Sequence, residues 1–160
     1  MGASLLAQAE PLTLAESFEL MPRPWMASFG VIFGLIIGSF LNAVIYRLPR
    51  QVSVSTPRSF CPKCESLIPW YRNIPVISWI MLGGRCGDCR ERISIRYPLV
   101  ELAVAVLFGA AVYRWGVSWS ALSSMIFGAA MLLLALVDYD FKLLPNVITL
   151  PGTAIGFALS

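Results

Sequence analysis

ASFGVIFGLIIGSFLNAVIY, residues Ala27 to Tyr46, decides the architecture: it is a run of twenty residues without a charge. A helix of that length rises about 30 Å, the thickness of a bilayer's hydrocarbon core. Gly30, Gly34 and Gly38 recur every four residues and Asn42 continues the row, so one face of this helix is a smooth stripe ending in an amide. Such a stripe fits close packing against a second helix. An amide inside a span costs free energy unless it is partnered, so Asn42, with Ser39 beside it, is a candidate for a polar site near the membrane edge.

The composition agrees with a membrane protein. Of 160 residues, 58% are hydrophobic and 13% are charged, which is too apolar for a soluble domain of this length. The net charge is a modest +3, and no charge run or stacked aromatic-basic patch points to nucleic acid. No internal repeat or low-complexity tract stands out. Residues 1–26 carry Glu10, Glu16 and Glu19 without a basic n-region, so they read as an extramembrane lead-in closed by Pro22 and Pro24, not as a secretory signal.

After the first span comes a fifty-residue loop, Arg47 to Arg96, with all four cysteines of the chain: Cys61-Pro62-Lys63-Cys64, then 21 residues, then Cys86-Gly87-Asp88-Cys89. Two residues between cysteines let both sulfurs face one ion across a small turn, and four thiolates close a tetrahedral site suited to zinc. The chain has no histidine, which removes mixed Cys/His sites. Two disulfides or redox pairs are the competing reading, although no βαβ pattern surrounds either pair. The loop holds nine Lys/Arg against Arg23 alone before the first span, so it is expected in the cytosol with the N-terminus outside. Thiols stay reduced there, which favours zinc. Within the loop, Ile74 to Leu82 is too short to span and is expected either to cover the zinc knuckles or to rest on the membrane surface.

Pro98 to Trp115 reads as a second span and Trp119 to Val137 as a third, uncharged one. Glu101, one turn into the second, is expected to complement the helix N-terminal dipole with Arg96 as a partner; a buried carboxylate in a membrane site is the alternative. Asp138 and Asp140 follow the third span directly, and Pro145-Asn146 then breaks the helix. A fourth apolar stretch begins at Val147 and runs only to Ser160, so the chain is expected to be a fragment of a longer protein. The fold expected is an all-α polytopic membrane bundle with a small cytosolic four-cysteine loop: lead-in 1–26, helix 27–46, loop 47–96, and helices in 97–160.

Several stretches in order resemble the N-terminal part of the type IV prepilin peptidases, the membrane leader peptidases and N-methyltransferases of pilus and type II secretion systems. They are Gly38-Ser39-Phe40-Leu41-Asn42, Tyr46-Arg47-Leu48-Pro49, Cys61-Pro62-Lys63-Cys64, Asn73-Ile74-Pro75, Ser78-Trp79, Gly84-Arg85-Cys86 with Cys89, Arg96-Tyr97-Pro98-Leu99-Val100-Glu101, and Asp138-Tyr139-Asp140 before Leu144-Pro145-Asn146. The resemblance implies a multi-pass protein of the bacterial inner membrane. Its substrates would be prepilins or pseudopilins, whose basic leader is cleaved beside an apolar helix, and the new N-terminus would be methylated from S-adenosylmethionine. The peptidase is an aspartic protease, and by its position seven residues before Pro145 the resemblance makes Asp138 the first catalytic aspartate.

The second aspartate of that family lies in a Gly-x-Gly-Asp motif, and these residues contain none. Asp138 and Asp140 cannot replace the pair on one helix, because residues two apart are rotated by roughly 200°. Asp140 is therefore read as a solvated or supporting carboxylate. No Gly-x-Gly-x-x-Gly fingerprint indicates a Rossmann cofactor site. The alternative function is a non-catalytic membrane protein whose four-cysteine knob binds a partner.

Overall fold

The computed structural model describes residues 21–53, 59–141, 151–152 and 154–156. The expected lead-in lies almost wholly outside the described residues, as does most of the fourth apolar stretch. Among the described residues the continuous α-helices are α1 (Arg23–Arg47), the short α2 (Ile77–Met81), α3 (Arg96–Trp115) and α4 (Trp119–Phe141). Three-residue 3-10 turns occupy Leu48–Arg50 and Trp70–Arg72. Among the described residues there are no strands, only two isolated bridges. Among the described residues three helices are long and apolar enough to cross a membrane. The protein is thus an all-helical membrane protein with its cysteines gathered in one loop.

α1 starts four residues before the uncharged run, with Pro24 inside its first turn, where the ring blocks no intrahelical bond. It packs antiparallel on α3, and the glycines set the closeness. A Cβ on Gly34 would stand 2.6 Å from Ala105 Cα and 2.8 Å from the Val104 carbonyl oxygen; one on Gly38 would stand 2.7 Å from Glu101 Cα. These are backbone atoms, so no side chain can step aside. At the far end Arg23 Nη1 donates to the carbonyls of Tyr113 (3.2 Å) and Arg114 (3.0 Å). At the loop end Asn42 Nδ2 donates to the Tyr97 carbonyl at 3.0 Å. The amide that closes the stripe is thereby satisfied, and it fastens the two helices where the loop leaves them.

α4 returns antiparallel after a turn at Gly116, whose φ of 65° suits glycine. The core is shared by three helices: Leu41 and Ile45 from α1, Val100, Val104 and Phe108 from α3, Leu133 and Val137 from α4. α4 buries much less of itself than α3; Ile126, Phe127 and Met131 are exposed.

Candidate functional site

The two cysteine pairs fold as one structure used twice, at a spacing of 25 residues. In the first, the Cys61 amide donates to the Ser66 carbonyl (3.0 Å) and the Glu65 amide to the Cys61 carbonyl (2.8 Å); in the second, Cys86 donates to Glu91 (2.8 Å) and Arg90 to Cys86 (3.2 Å). A bridge closes each, Phe60 with Leu67 and Arg85 with Arg92. The residue after the second cysteine is left-handed in both, Glu65 at φ 58° and Arg90 at φ 60°. This corrects the reading that the chain contains no repeat. Over 59–68 and 84–93 the two copies share only their cysteines and a final isoleucine, Ile68 and Ile93. Backbone hydrogen bonds carry the likeness, and beyond the cysteine pairs themselves the matching isoleucines were the signal in the sequence.

Back to back, the knuckles bring the four sulfurs within 4.8 Å of one another. Cys61 and Cys86 are buried, Cys64 and Cys89 exposed, and all four are free thiols. The Cys61–Cys89 sulfur separation is 3.8 Å, far beyond a disulfide bond. Tetrahedral zinc with bonds of about 2.3 Å puts sulfurs about 3.8 Å apart, so the group fits such an ion. The neighbouring donors favour thiolates. The Ser66 hydroxyl, 3.0 Å from Cys64 Sγ, and the Ser66 amide bring Cys64 down to about 6. The Asp88 and Cys89 amides lower Cys86. For Cys89 the Glu91 amide pulls downward, but partial desolvation and the three other sulfurs outweigh it and push the thiol up to about 12. The last proton leaves this cluster readily only when a cation replaces it.

Two side chains brace the knuckles. Arg72 reaches across the second one, where its Nη1 would be 2.5 Å from a Cβ on Gly87, and it pairs with Asp88 at 3.1 Å. The Ser66 hydroxyl and then the Arg72 guanidinium hold the Asp88 carboxyl below its usual range. Trp79, from α2, donates from Nε1 to the Ile93 carbonyl (3.2 Å) and lies against Gly84. One side of the Ile74–Leu82 stretch therefore covers a knuckle.

Between the knuckles and the helices lies a cleft of about 410 Å³. Ser39, Asn42 and Glu101 line it from the helices; Cys61, Cys86 and Trp79 line it from the loop. Glu101 is buried (7% exposed) and does not meet Arg96 as expected. Its Oε2 accepts the Val76 amide at 2.7 Å, and the Ser39 hydroxyl also bonds it. The buried-carboxylate alternative describes it better than the dipole role.

Arg96 instead pairs with Asp140 at 2.6 Å and donates to the Leu136 carbonyl at 3.4 Å. Helix geometry explains the choice. Val137 faces the core, and Asp140, three residues on, returns nearly to that face, whereas Asp138 turns about 100° away and is exposed. Asp140 is thus tied to the α3 N-terminus rather than simply solvated. Arg50 adds a second tie, its guanidinium 4.2 Å from the Tyr46 ring and 5.2 Å from the Phe141 ring. Reading the sequence alone missed Arg50 and the Arg96–Asp140 pair. Pro145, whose spacing singled out Asp138, lies outside the described residues.

Residues 32–115 match the profile of the bacterial peptidase A24 N-terminal domain. The chain is 42% identical over 137 residues to a prepilin leader peptidase/N-methyltransferase of Myxococcus xanthus (strain DK1622), covering 86% of this chain and 41% of that protein. It is 37% identical over 157 residues to one of Neisseria gonorrhoeae, covering 83% and 55%. It is 42% identical over 156 residues to a type 4 prepilin-like proteins leader peptide-processing enzyme of Escherichia coli O78:H11, covering 85% and 57%. The chain spans about half the length of these relatives. No solved structure matches it. A membrane helix pair sealed by glycines, a four-cysteine loop between its members and this profile over more than half the residues agree: the chain belongs to the bacterial peptidase A24 N-terminal domain family.

Proposed function

We propose that these residues form the leader-side half of a prepilin peptidase and N-methyltransferase in the bacterial inner membrane, with the four-cysteine loop in the cytosol. The observation that carries the peptidase reading is the division of labour at the end of α4: both Asp138 and Asp140 are exposed, but it is Asp140 that Arg96 engages. In this reading Asp138 takes a proton from the attacking water at the membrane edge, where a basic leader meets its apolar helix. The partner carboxylate that shares the proton and polarises the scissile carbonyl comes from outside these 160 residues. The basic loop and the exposed carboxylate support the assignment, as do the names of the similar proteins.

Cys61, Cys64, Cys86 and Cys89 would hold zinc. Four thiolates leave no open position for water, so the metal would fix the loop's shape and take no part in hydrolysis. The cleft between loop and helices, with carboxylates, amides and the Trp79 ring on its walls, is of a size for a small charged cofactor and would hold S-adenosylmethionine. That cofactor supplies an electrophilic methyl group when bound, and the chain's own task is to bring the new amine to the cleft.

The test is cleavage of a leader-bearing prepilin by the complete protein in liposomes. Asp138→Asn keeps the size and removes the base, and is expected to lower the rate by about a thousandfold. Asp140→Asn breaks a half-exposed ion pair and is expected to cost less than about tenfold. Unchanged cleavage by the Asp138→Asn protein would overturn the assignment and favour a non-catalytic, partner-binding knob.

A further inference from the structure

α2 has two faces of opposite character. Ser78 and Trp79 turn toward the cleft and the second knuckle. Ile77, Ile80 and Met81 share the other face at helical spacing, and these three are 52%, 65% and 81% exposed. Trp70 and Tyr71, edge to face at 6.0 Å, are exposed just upstream. No described residue covers this surface.

Its depth is set by Glu101. That carboxylate stands on the sixth residue of α3, about 7–8 Å into the span, and its side chain leans toward the helix N-terminus. Because it accepts the Val76 amide, α2 begins level with the first turns of a membrane helix and not out beyond them. Val76 itself is held at φ 60°, a conformation a β-branched residue adopts only when its surroundings impose it. The Ile74 amide on Ser78 Oγ (3.0 Å) and Ser78 Oγ on the Tyr71 carbonyl (3.3 Å) complete the restraint. An apolar face with Trp and Tyr beside it, fixed at the depth where chains leave the bilayer, has the build of an interfacial segment.

We infer that residues 70–81 lie in the cytoplasmic leaflet as a monotopic wedge, with Ile77, Ile80 and Met81 against lipid acyl chains and Glu101 as the residue that positions it. The inference rests on the membrane reading of α1 and α3 and not on the peptidase assignment. Other segments of protein could cover the same face, and the experiment separates the cases. A spin-labelled noncanonical residue is placed singly at Ile80 and at Met81, with exposed Lys63 as reference, in metal-loaded protein reconstituted into phosphatidylethanolamine–phosphatidylglycerol liposomes. Collision with oxygen is measured against collision with a water-soluble nickel chelate. The oxygen-to-nickel ratio at 80 and 81 is expected to exceed that at 63 at least several-fold. Glu101→Ala, which removes the acceptor, is expected to bring it toward the Lys63 value, while Glu101→Gln, which keeps a carbonyl acceptor, largely preserves it. High nickel access at 80 and 81 would place the face in water, and low access to both reagents would place it against protein; either result overturns the inference.

Discussion

At the residue scale, the four sulfurs differ in what holds their protons. Cys64, brought down to about 6 by Ser66, is ionised at neutral pH, whereas Cys89, pushed up to about 12 by partial desolvation and its neighbouring sulfurs against the pull of the Glu91 amide, is not. Metal binding must displace at least the Cys89 proton throughout the physiological range, so affinity falls as pH falls. Apparent zinc affinity is expected to weaken at least about tenfold per pH unit between pH 8 and 6, read by competition with a chelating dye; a flat profile would contradict the four-thiolate assignment. The cysteines announced themselves by spacing, because a two-residue gap is a local property. Glu101 did not reveal its partner. A backbone amide 25 residues earlier carries no sequence signature, and the plausible neighbour Arg96 was drawn instead to Asp140, 44 residues away, by the docking of α4.

At the scale of elements, the α1–α3 seam holds the least forgiving glycine contacts among the described residues, because backbone lies against them. Gly34→Ala would force a methyl carbon into the backbone of Ala105, and overpacking of this kind costs roughly 1–3 kcal/mol. Thermal unfolding in detergent is expected to show a lower Tm for Gly34→Ala than for Gly83→Ala. Gly83 also sits at positive φ, but an added Cβ meets nothing within 4 Å there, so only the backbone strain remains, about 1–2 kcal/mol at most. Equal Tm values would show that the helices are not seated as closely as described. This seam was legible in the sequence, since a four-residue glycine period has few other uses in an apolar run. The duplicated knuckle was not, because two turns made of main-chain hydrogen bonds tolerate Pro62-Lys63 in one copy and Gly87-Asp88 in the other.

At the scale of the whole molecule, the loop and the helix pair are held by separate means. The knuckles depend on their sulfurs, while α1 and α3 depend on glycines, Asn42 and Arg23. Removing the proposed zinc with a strong chelator is therefore expected to open the loop to trypsin at Lys63, Arg85 and Arg90 while the helical circular dichroism changes little. Loss of most helical signal on chelation would show that the metal also holds the bundle. α4 is fixed differently again. Its outer flank, with Ile126 and Phe127, is no worse off in lipid than against protein, so its rotation is set by one strip of side chains, Arg96 and Arg50. The α1–α3 pair is then a stator and α4 a rotor with a lock at one end. Asp138 sits at the rim of that rotor, roughly 5–6 Å from its axis, so a roll of about 20° sweeps its carboxylate through about 2 Å. In the role proposed for Asp138, a sweep of that size would separate a carboxylate aimed at the attacking water from one that misses it.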